Sequence, residues 1–222
     1  MRTIKKSTKW LPILVLALVS SMTACASGNL AGEEAHVYQL LTLEPYFSCN
    51  IPASWGREEG DSSFGLSREE KKVYSITLHE SGTGVIPVRI SITFYAKGNQ
   101  LEDSPDTYIR RHARPLFVLK EGDVYGPVTD TYVTGRNAQV FERQKNEFVP
   151  YFPLDGIEPP TDDIRVYERR ERMARPIPVR EKFVVIPVNS GFYALRYSAS
   201  AEQFEQFLPD FEQVTTTFHV LQ

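Results

Sequence analysis

Two stretches of the chain alternate strictly between apolar and polar residues. From Val88 to Tyr95 ("VRISITFY") every second side chain is apolar, and "YSITL", Tyr74 to Leu78, repeats the pattern. A period of two is typical of a strand with one buried face, so each stretch predicts a strand. Between them, "HESGTGVIP" carries two glycines and predicts a hairpin loop.

Further along the chain, Phe183 to Val188 ("FVVIPV") is apolar on both faces. A short continuous apolar run of this length suits a strand buried on both sides, in the centre of a sheet. The next residues, "NSG", predict a turn, and "FYALRY" after the turn predicts another strand.

One helix is predicted in the middle of the chain, over "SPDTYIRRHAR". Ser104 can cap it, Pro105 is suited to its first position, and Asp106 places an acid in the first turn. Pro115 should end it, because proline cannot continue a helix.

A second helix is predicted near the C-terminus, over "SAEQFEQFLPDFEQVTTTF". It should begin at Ser200, with Gln203 three residues later completing a capping box. Pro209 lies inside it and should kink or split it. One face is apolar and is expected to be core: Phe204, Phe207, Leu208, Phe211, Val214 and Phe218.

Strands joined by short turns, a helix, more strands and a final helix predict an α+β fold. In this fold an antiparallel sheet is flanked by helices. Residues 37–222 are enough for a single domain with its own core.

The N-terminus has the layout of an export signal. "MRTIKKSTKW" carries four basic residues and no acid, and the apolar run from Leu11 to Val19 follows. The run is about half of the roughly 20 residues that a membrane-spanning helix needs. We therefore predict a signal peptide over residues 1–24.

The end of this signal, Met22 to Cys25, resembles a bacterial lipobox: an apolar residue, two small residues and a cysteine. The resemblance implies cleavage before Cys25 and a diacylglyceryl group on its thiol. Residues 25–36 then form the lipidated cysteine and a flexible tether. The alternative is a plain secreted protein cut after Ala24 or Ala26.

Charge and cysteine content narrow the possible partners. Removal of the signal removes four basic residues, which leaves 21 Lys and Arg against 28 Asp and Glu, a net charge of −7. Nucleic acid is therefore not an expected partner, because phosphate binding requires a basic surface. If Cys25 is lipidated, Cys49 has no cysteine to pair with, and it is expected to be a buried structural thiol.

The order of several segments resembles PsbP-like domains, a group that includes the Mog1 and DcrB types. "YFSCNIPASWG" is similar to their opening hairpin, and "KFVVIPVNSGFYALRYSASAEQFEQFLPDFEQVTTTF" is similar to their ending. The resemblance covers roughly residues 37–222 and implies a sheet sandwiched between helices. It implies no single activity, because related domains have photosynthetic, nuclear-transport and envelope roles.

Motifs for catalysis, cofactors and metals are not found. The sequence has no G-x-S-x-G, H-E-x-x-H or Walker A motif, and its four histidines are scattered: His36, His79, His112 and His219. No cofactor and no metal site are predicted, and an enzyme is the less favoured of the alternatives.

"FVPYFPLDGIEPP", Phe148 to Pro160, is an unusually apolar and proline-rich connection between two strand-like segments. Its side chains could cover an open end of the sheet, or they could form a preordered aromatic patch for a protein partner. The candidate partner-binding residues are Phe148, Tyr151, Phe152 and Leu154.

The densest basic stretch of the mature chain comprises Arg169, Arg170, Arg172 and Arg175. Because Glu168 and Glu171 alternate with these arginines, a solvated hairpin is the first interpretation. A local contact with lipid headgroups or with an acidic partner is the second.

Three classes of function remain open. The first is a non-catalytic lipoprotein of the cell envelope, anchored by Cys25 with its domain in the periplasm, that binds or assists a protein. Ala26 after the cysteine favours the outer over the inner membrane if the host sorts by that position. The others are an envelope enzyme and a small-ligand or glycan-binding module, the latter suggested by Trp55 and the tyrosines. A shallow surface favours the first class, and a polar cleft favours the others.

Overall fold

The computed structural model describes residues 37–60, 72–82, 84–115, 118–150 and 174–221. The predicted signal peptide, Cys25 and the tether lie outside these residues, so the domain boundaries remain predictions. The elements within the described residues are β1 (Tyr38–Leu43), β2 (Phe47–Pro52), β3 (Gly56–Glu59), β4 (Val73–His79), β5 (Arg89–Ala96), α1 (Pro105–His112), β6 (Val124–Tyr125), β7 (Thr129–Val133), β8 (Arg136–Pro150), β9 (Ala174–Val188), β10 (Gly191–Ser200), α2 (Phe204–Thr216) and β11 (His219–Val220).

These strands form two antiparallel sheets. The larger has eight strands in the order β3-β4-β5-β10-β9-β8-β6, with β7 also paired to β8, and the smaller has the order β1-β2-β11. The predicted α+β class, an antiparallel sheet flanked by helices, is confirmed.

The alternating segments form neighbouring strands as predicted. In β4 and β5 the apolar side chains are buried, with Ile76 opposite Ile92 and Leu78 opposite Ile90. The segment from Phe183 to Val188 belongs to β9, between β10 and β8 in the middle of the sheet. The turn before β10 requires Gly191, at φ +149°, because a Cβ there would lie 2.0 Å from the backbone oxygen of Tyr95.

The two faces of the large sheet are covered by different layers. One face packs against the smaller sheet and α2, and its core includes Tyr193, Tyr197, Phe204, Phe211 and Phe218, each 0 or 1% exposed. The other face packs against α1, through Tyr108, Ile109 and Ala113. The large sheet therefore lies between helices, and the aromatic residues of the C-terminal segment form much of the core, as predicted.

Helix α1 begins where its sequence predicts. The Ser104 hydroxyl accepts a hydrogen bond of 3.2 Å from the Thr107 backbone N–H, and Pro105 occupies the first helical position. The helix ends at His112, three residues before Pro115.

Helix α2 begins four residues later than predicted. Ser200 is the last residue of β10, and the ladder continues beyond it because the Ala201 N–H donates to the Pro178 carbonyl at 2.8 Å. This pairing holds Ser200 extended, so the helix starts only at Phe204. The helix runs unbroken through Pro209, so the predicted split is wrong. Proline removes one backbone hydrogen bond, and Phe204 and Phe211 are packed into the core on either side of it.

The predicted connection between Phe148 and Pro160 also begins later than expected. Strand β8 extends to Pro150, where Phe148 pairs with Pro176 and Pro150 with Ala174. Pairing with β9 along one edge is enough to hold these three residues in the strand. On the other edge, pairing with β6 and β7 is described only as far as Gln144. We call this end of the large sheet, where β8 reaches Pro150 and β9 begins, the hairpin end.

Candidate functional site: a polar cleft beside the short helix

The face of the large sheet that packs against α1 changes character along its length. Beneath α1 it is apolar, with Phe141, Phe183 and Phe192 buried. Toward the hairpin end the same face becomes polar and borders an open cleft of about 610 Å³. This polar cleft is the candidate functional site.

The register of the strands brings residues from distant parts of the chain into the cleft. Side chains directly opposite one another in an antiparallel ladder point to the same face. Arg89 lies opposite Ser198, and Ser91 lies opposite Arg196. On its other side, Ser198 lies opposite Glu181. The lining residues are Glu58, Thr77, Val85, Ile86, Pro87, Arg89, Ser91, Lys145, Glu147, Phe148, Val149, Arg196 and Ser198.

Glu181 lies beneath the cleft with its side chain fully buried. The guanidinium groups of Arg143 and Arg196 each donate a hydrogen bond to its carboxylate, and Lys145 Nζ lies 3.8 Å from Oε1. Burial alone would raise the pKa of Glu181, but the attraction of Arg196, Arg143 and Lys145 and the hydrogen bond from Arg143 outweigh it. The pKa of Glu181 is therefore lowered, and the carboxylate is ionised at neutral pH.

Arg143 connects this cluster to the end of α1. Its Nη1 donates to the His112 carbonyl at 3.2 Å, and its guanidinium lies over the Phe183 ring, 5.1 Å from the centroid. The His112 ring packs against Tyr108, with centroids 4.3 Å apart. Burial first, and then the charges of Arg143 and Arg196, lower the pKa of His112 to about 4. His112 is therefore neutral near pH 7.

The side of the cleft formed by β4, β5 and β10 carries hydroxyl groups. Thr77 and Ser91 share a hydrogen bond of 3.2 Å. Arg89 is exposed and forms no ion pair with any residue that the structure describes. This side of the cleft therefore offers hydroxyl groups and the guanidinium group of Arg89 to a ligand.

The rim of the cleft is mixed in character. Phe148 is 63% exposed and Val85 is 54% exposed. Two exposed carboxylates, Glu58 on β3 and Glu147 on β8, lie on opposite sides. The rim thus combines apolar contact area with negative charge, whereas the floor is positive.

The charged groups of the cleft are suited to binding an anion. The Glu181 carboxylate is buried and held by two arginines, so its main effect is to fix the positions of cations. Lys145 and Arg196 have side chains that are 37% and 38% exposed, and Arg89 adds a third cation. Together these groups can hold an anion.

Of the residues that the sequence predicts for lipidation, for partner binding and for the basic patch, two lie in the described part of the chain. Phe148 is near the end of β8 on the cleft rim, and Arg175 is exposed on β9, opposite Val149. Both are therefore at the hairpin end. The other predicted residues lie outside the described residues: Cys25, Tyr151, Phe152, Leu154, Arg169, Arg170 and Arg172.

The sequence interpretation missed Arg89, Lys145, Glu181 and Arg196, because they are on four strands, of which β5 is far from the others in the chain. A signal was nevertheless present. Glu181 lies two residues before the apolar run of β9, and Arg196 interrupts the otherwise apolar segment of β10. A charged side chain within a buried strand needs a charged or hydrogen-bonding partner. A charged residue at such a position therefore predicts a cluster of polar side chains, but the sequence does not identify the other members.

Trp55 and Cys49 are both buried in the core, where they contribute to packing. Trp55 is 6% exposed and packs edge-on against Phe207, so it is not available to stack on a glycan. Cys49 is fully buried, as expected, and burial raises the pKa of its thiol to about 12. A thiol with this pKa is protonated and unreactive at neutral pH.

Among the described residues, no group of three or more His, Cys, Asp and Glu side chains converges on a position that could hold a metal ion. No helix in the described ranges has both the length and the apolar character to cross a membrane.

Comparison with known proteins gives only distant similarity. No family model and no curated protein matches the sequence. Among solved structures, the cyanobacterial PsbP (CyanoP) of Synechocystis sp. PCC 6803 aligns at 12% identity with a TM-score of 0.42, over 87% of this chain and 98% of its own. LpqN, described as involved in cell envelope biogenesis of Mycobacterium tuberculosis, aligns at 12% identity with the same TM-score, over 84% and 91%.

Similarity at this level establishes neither a shared family nor a shared function. The resemblance to PsbP-like domains that the sequence indicates therefore stays a prediction.

The low pKa of His112 predicts a pH-dependent stability. The folded protein keeps the ring neutral down to about pH 4, whereas the unfolded chain protonates it near 6.5. Between these values acid favours the unfolded state, so His112 alone should lower the free energy of unfolding by about 1 to 2 kcal/mol from pH 7 to pH 5. Urea unfolding of the wild type and of His112→Gln at both pH values measures this. The variant should lose less stability on acidification, and equal losses would contradict the assignment.

Proposed function

We propose that this chain is a non-catalytic lipoprotein of the bacterial cell envelope whose domain binds a protein partner. The acylated Cys25 holds it in the membrane, the outer membrane in preference to the inner. The domain faces the periplasm.

The sequence of the N-terminal segment supports the anchor. A basic start, an apolar run too short to span a bilayer and small residues before Cys25 are the features of a lipoprotein signal. Stable anchoring requires at least two acyl chains or signals, and a lipoprotein of this kind carries two or three chains. The tether between Cys25 and Val37 separates the domain from the bilayer.

The observation that carries partner binding is the exposure of Phe148 at the hairpin end. An aromatic side chain that is 63% exposed near the end of a strand, with further apolar exposure at Val85, gives a partner an anchor to enclose. The turn at Glu121 lies beside Asn146, and from Glu147 onward the outer edge of β8 has no described strand beside it, which leaves backbone groups for a partner to pair with.

The hairpin end is also the end where the described domain begins. The Val37 carbonyl accepts a bond of 2.8 Å from the Ala53 N–H, and Gly56, shortly after, pairs with His79 at the end of β4. Val37 and the candidate partner surface therefore lie at the same end of the large sheet. This arrangement favours a partner that is held at the same membrane.

A second candidate function is a small-ligand-binding module, and the polar cleft favours it. The cleft is assembled from residues on five strands and is richer in polar groups than a protein-docking surface needs. The two functions are compatible, because the partner surface is on the rim and the ligand groups are on the floor.

Lipid anchoring is tested through Cys25. The wild-type chain, expressed in a bacterial host, should fractionate with membranes, and its mature N-terminal residue should be an acylated cysteine by mass spectrometry. Cys25→Ala should release the domain or leave an unprocessed precursor. Cys49→Ala is the matched control and should remain membrane-bound. A mature wild-type chain with Cys25 internal and unmodified would contradict the proposal.

Partner binding is tested by a photo-crosslinking phenylalanine analogue placed at Phe148 in the full chain. We expect one discrete adduct in native membranes, because the side chain is exposed at the proposed interface. The matched control places the analogue at Tyr132, which is 75% exposed on β7 at the other end of the sheet. Equal adducts at both positions, or none at 148, would rule out this surface.

A further inference from the structure

We infer that the polar cleft is a binding site for a small ligand with one compact anionic group, a phosphate or a carboxylate, and neighbouring hydroxyl groups. This inference goes beyond the proposed partner and does not depend on the lipid anchor.

The floor of the cleft carries more positive than negative charge. One buried carboxylate, Glu181, has three cations around it: Arg143, Arg196 and Lys145. Neutralising Glu181 requires only one of them, so the floor keeps an excess of positive charge. Water screens the exposed parts of Arg196 and Lys145, and an anion that enters the cleft would be attracted by the remaining positive charge.

The cations of the cleft keep hydrogen-bond donors that no described residue uses. Arg196 Nε is buried and has no hydrogen-bond acceptor among the described residues. Arg89, across the cleft on β5, has no ion pair among them. Lys145 is 3.8 Å from Glu181, too far for a hydrogen bond, so its ammonium group can donate to a ligand.

Hydroxyl groups lie close to these cations. Ser198 is opposite Arg89 in the ladder, and the paired hydroxyls of Thr77 and Ser91 are on the adjacent strands. Hydroxyl groups can both donate and accept, so they suit a ligand that carries hydroxyls of its own. A volume of about 610 Å³ is within the usual range for small-molecule sites.

The rim carboxylates limit which anions can enter. Glu58 and Glu147 stand on opposite sides of the opening. They would repel a polyanion that extends past the floor, whereas a single compact anionic group reaches the cations between them.

The ligand chemistry has two possible sources, a free small molecule and a phospholipid headgroup. Glycerol 3-phosphate is a suitable probe for the first, since it combines one phosphate with hydroxyls. Phosphatidylglycerol doped into detergent micelles is the probe for the second. Glycerol and phosphatidylcholine are the uncharged and zwitterionic controls.

Isothermal titration of the purified full chain in detergent micelles tests the inference. We expect saturable binding of at least one of the two probes, and none of the controls. Binding should weaken at least tenfold in Arg89→Gln and in Lys145→Gln. The matched controls, Arg136→Gln and Lys97→Gln, change exposed cations at the other end of the sheet and should bind as the wild type does.

The outcomes separate the sources and the alternatives. Binding of glycerol 3-phosphate in lipid-free detergent assigns a free ligand, and binding only to phosphatidylglycerol assigns a headgroup. Unchanged thermal unfolding of Arg89→Gln and Lys145→Gln shows that they are folded. Absence of saturable binding to both probes, or equal weakening by the control variants, overturns the inference.

Discussion

The ionised carboxylate of Glu181 is the constraint on which this side of the sheet depends. A fully buried charge is tolerated only with charged or hydrogen-bonded partners, and Glu181 obtains them from the strands on either side of β9. This requirement fixes Arg143 on β8 and Arg196 on β10 over the sheet. Arg143 also donates a hydrogen bond to the last carbonyl of α1, so the cluster joins the end of the helix to the start of the cleft.

The division of the sheet face has a functional consequence. A short helix that covers only the apolar half leaves the polar half open, and that half faces the hairpin end. The same end carries the exposed Phe148 and the start of the described domain at Val37. A partner that docks at this end would therefore meet the polar groups of the cleft and the exposed Phe148 side chain together.

Local patterns predict the fold well because the interactions they report are local. Alternation identifies β4 and β5, and Ser104 identifies the start of α1, since each depends on neighbouring residues. The start of α2 is misplaced because the ladder to β9, a long-range interaction, keeps Ser200 extended. The end of β8 is misplaced for the same reason.

The cleft could not be predicted in the same way. Arg89, Lys145 and Arg196 meet only through the strand order, and only Arg196 stands out locally, as a charge in an otherwise apolar segment. The sequence does indicate Phe148 and Arg175, since an apolar connection and a run of arginines are visible locally. The pKa values of Glu181 and His112 depend on the same long-range packing and are invisible before the fold is known.

The most direct test of this account is the free energy of unfolding of Glu181→Gln, measured in urea at pH 7. Glutamine keeps the shape but removes the charge that compensates Arg143 and Arg196. Glu142→Gln on β8 is the matched control, because Glu142 also pairs with two cations but its side chain is 39% exposed. We expect a loss of about 3 to 5 kcal/mol for Glu181→Gln and of about 1 kcal/mol or less for Glu142→Gln. Equal and small losses for the two variants would contradict it.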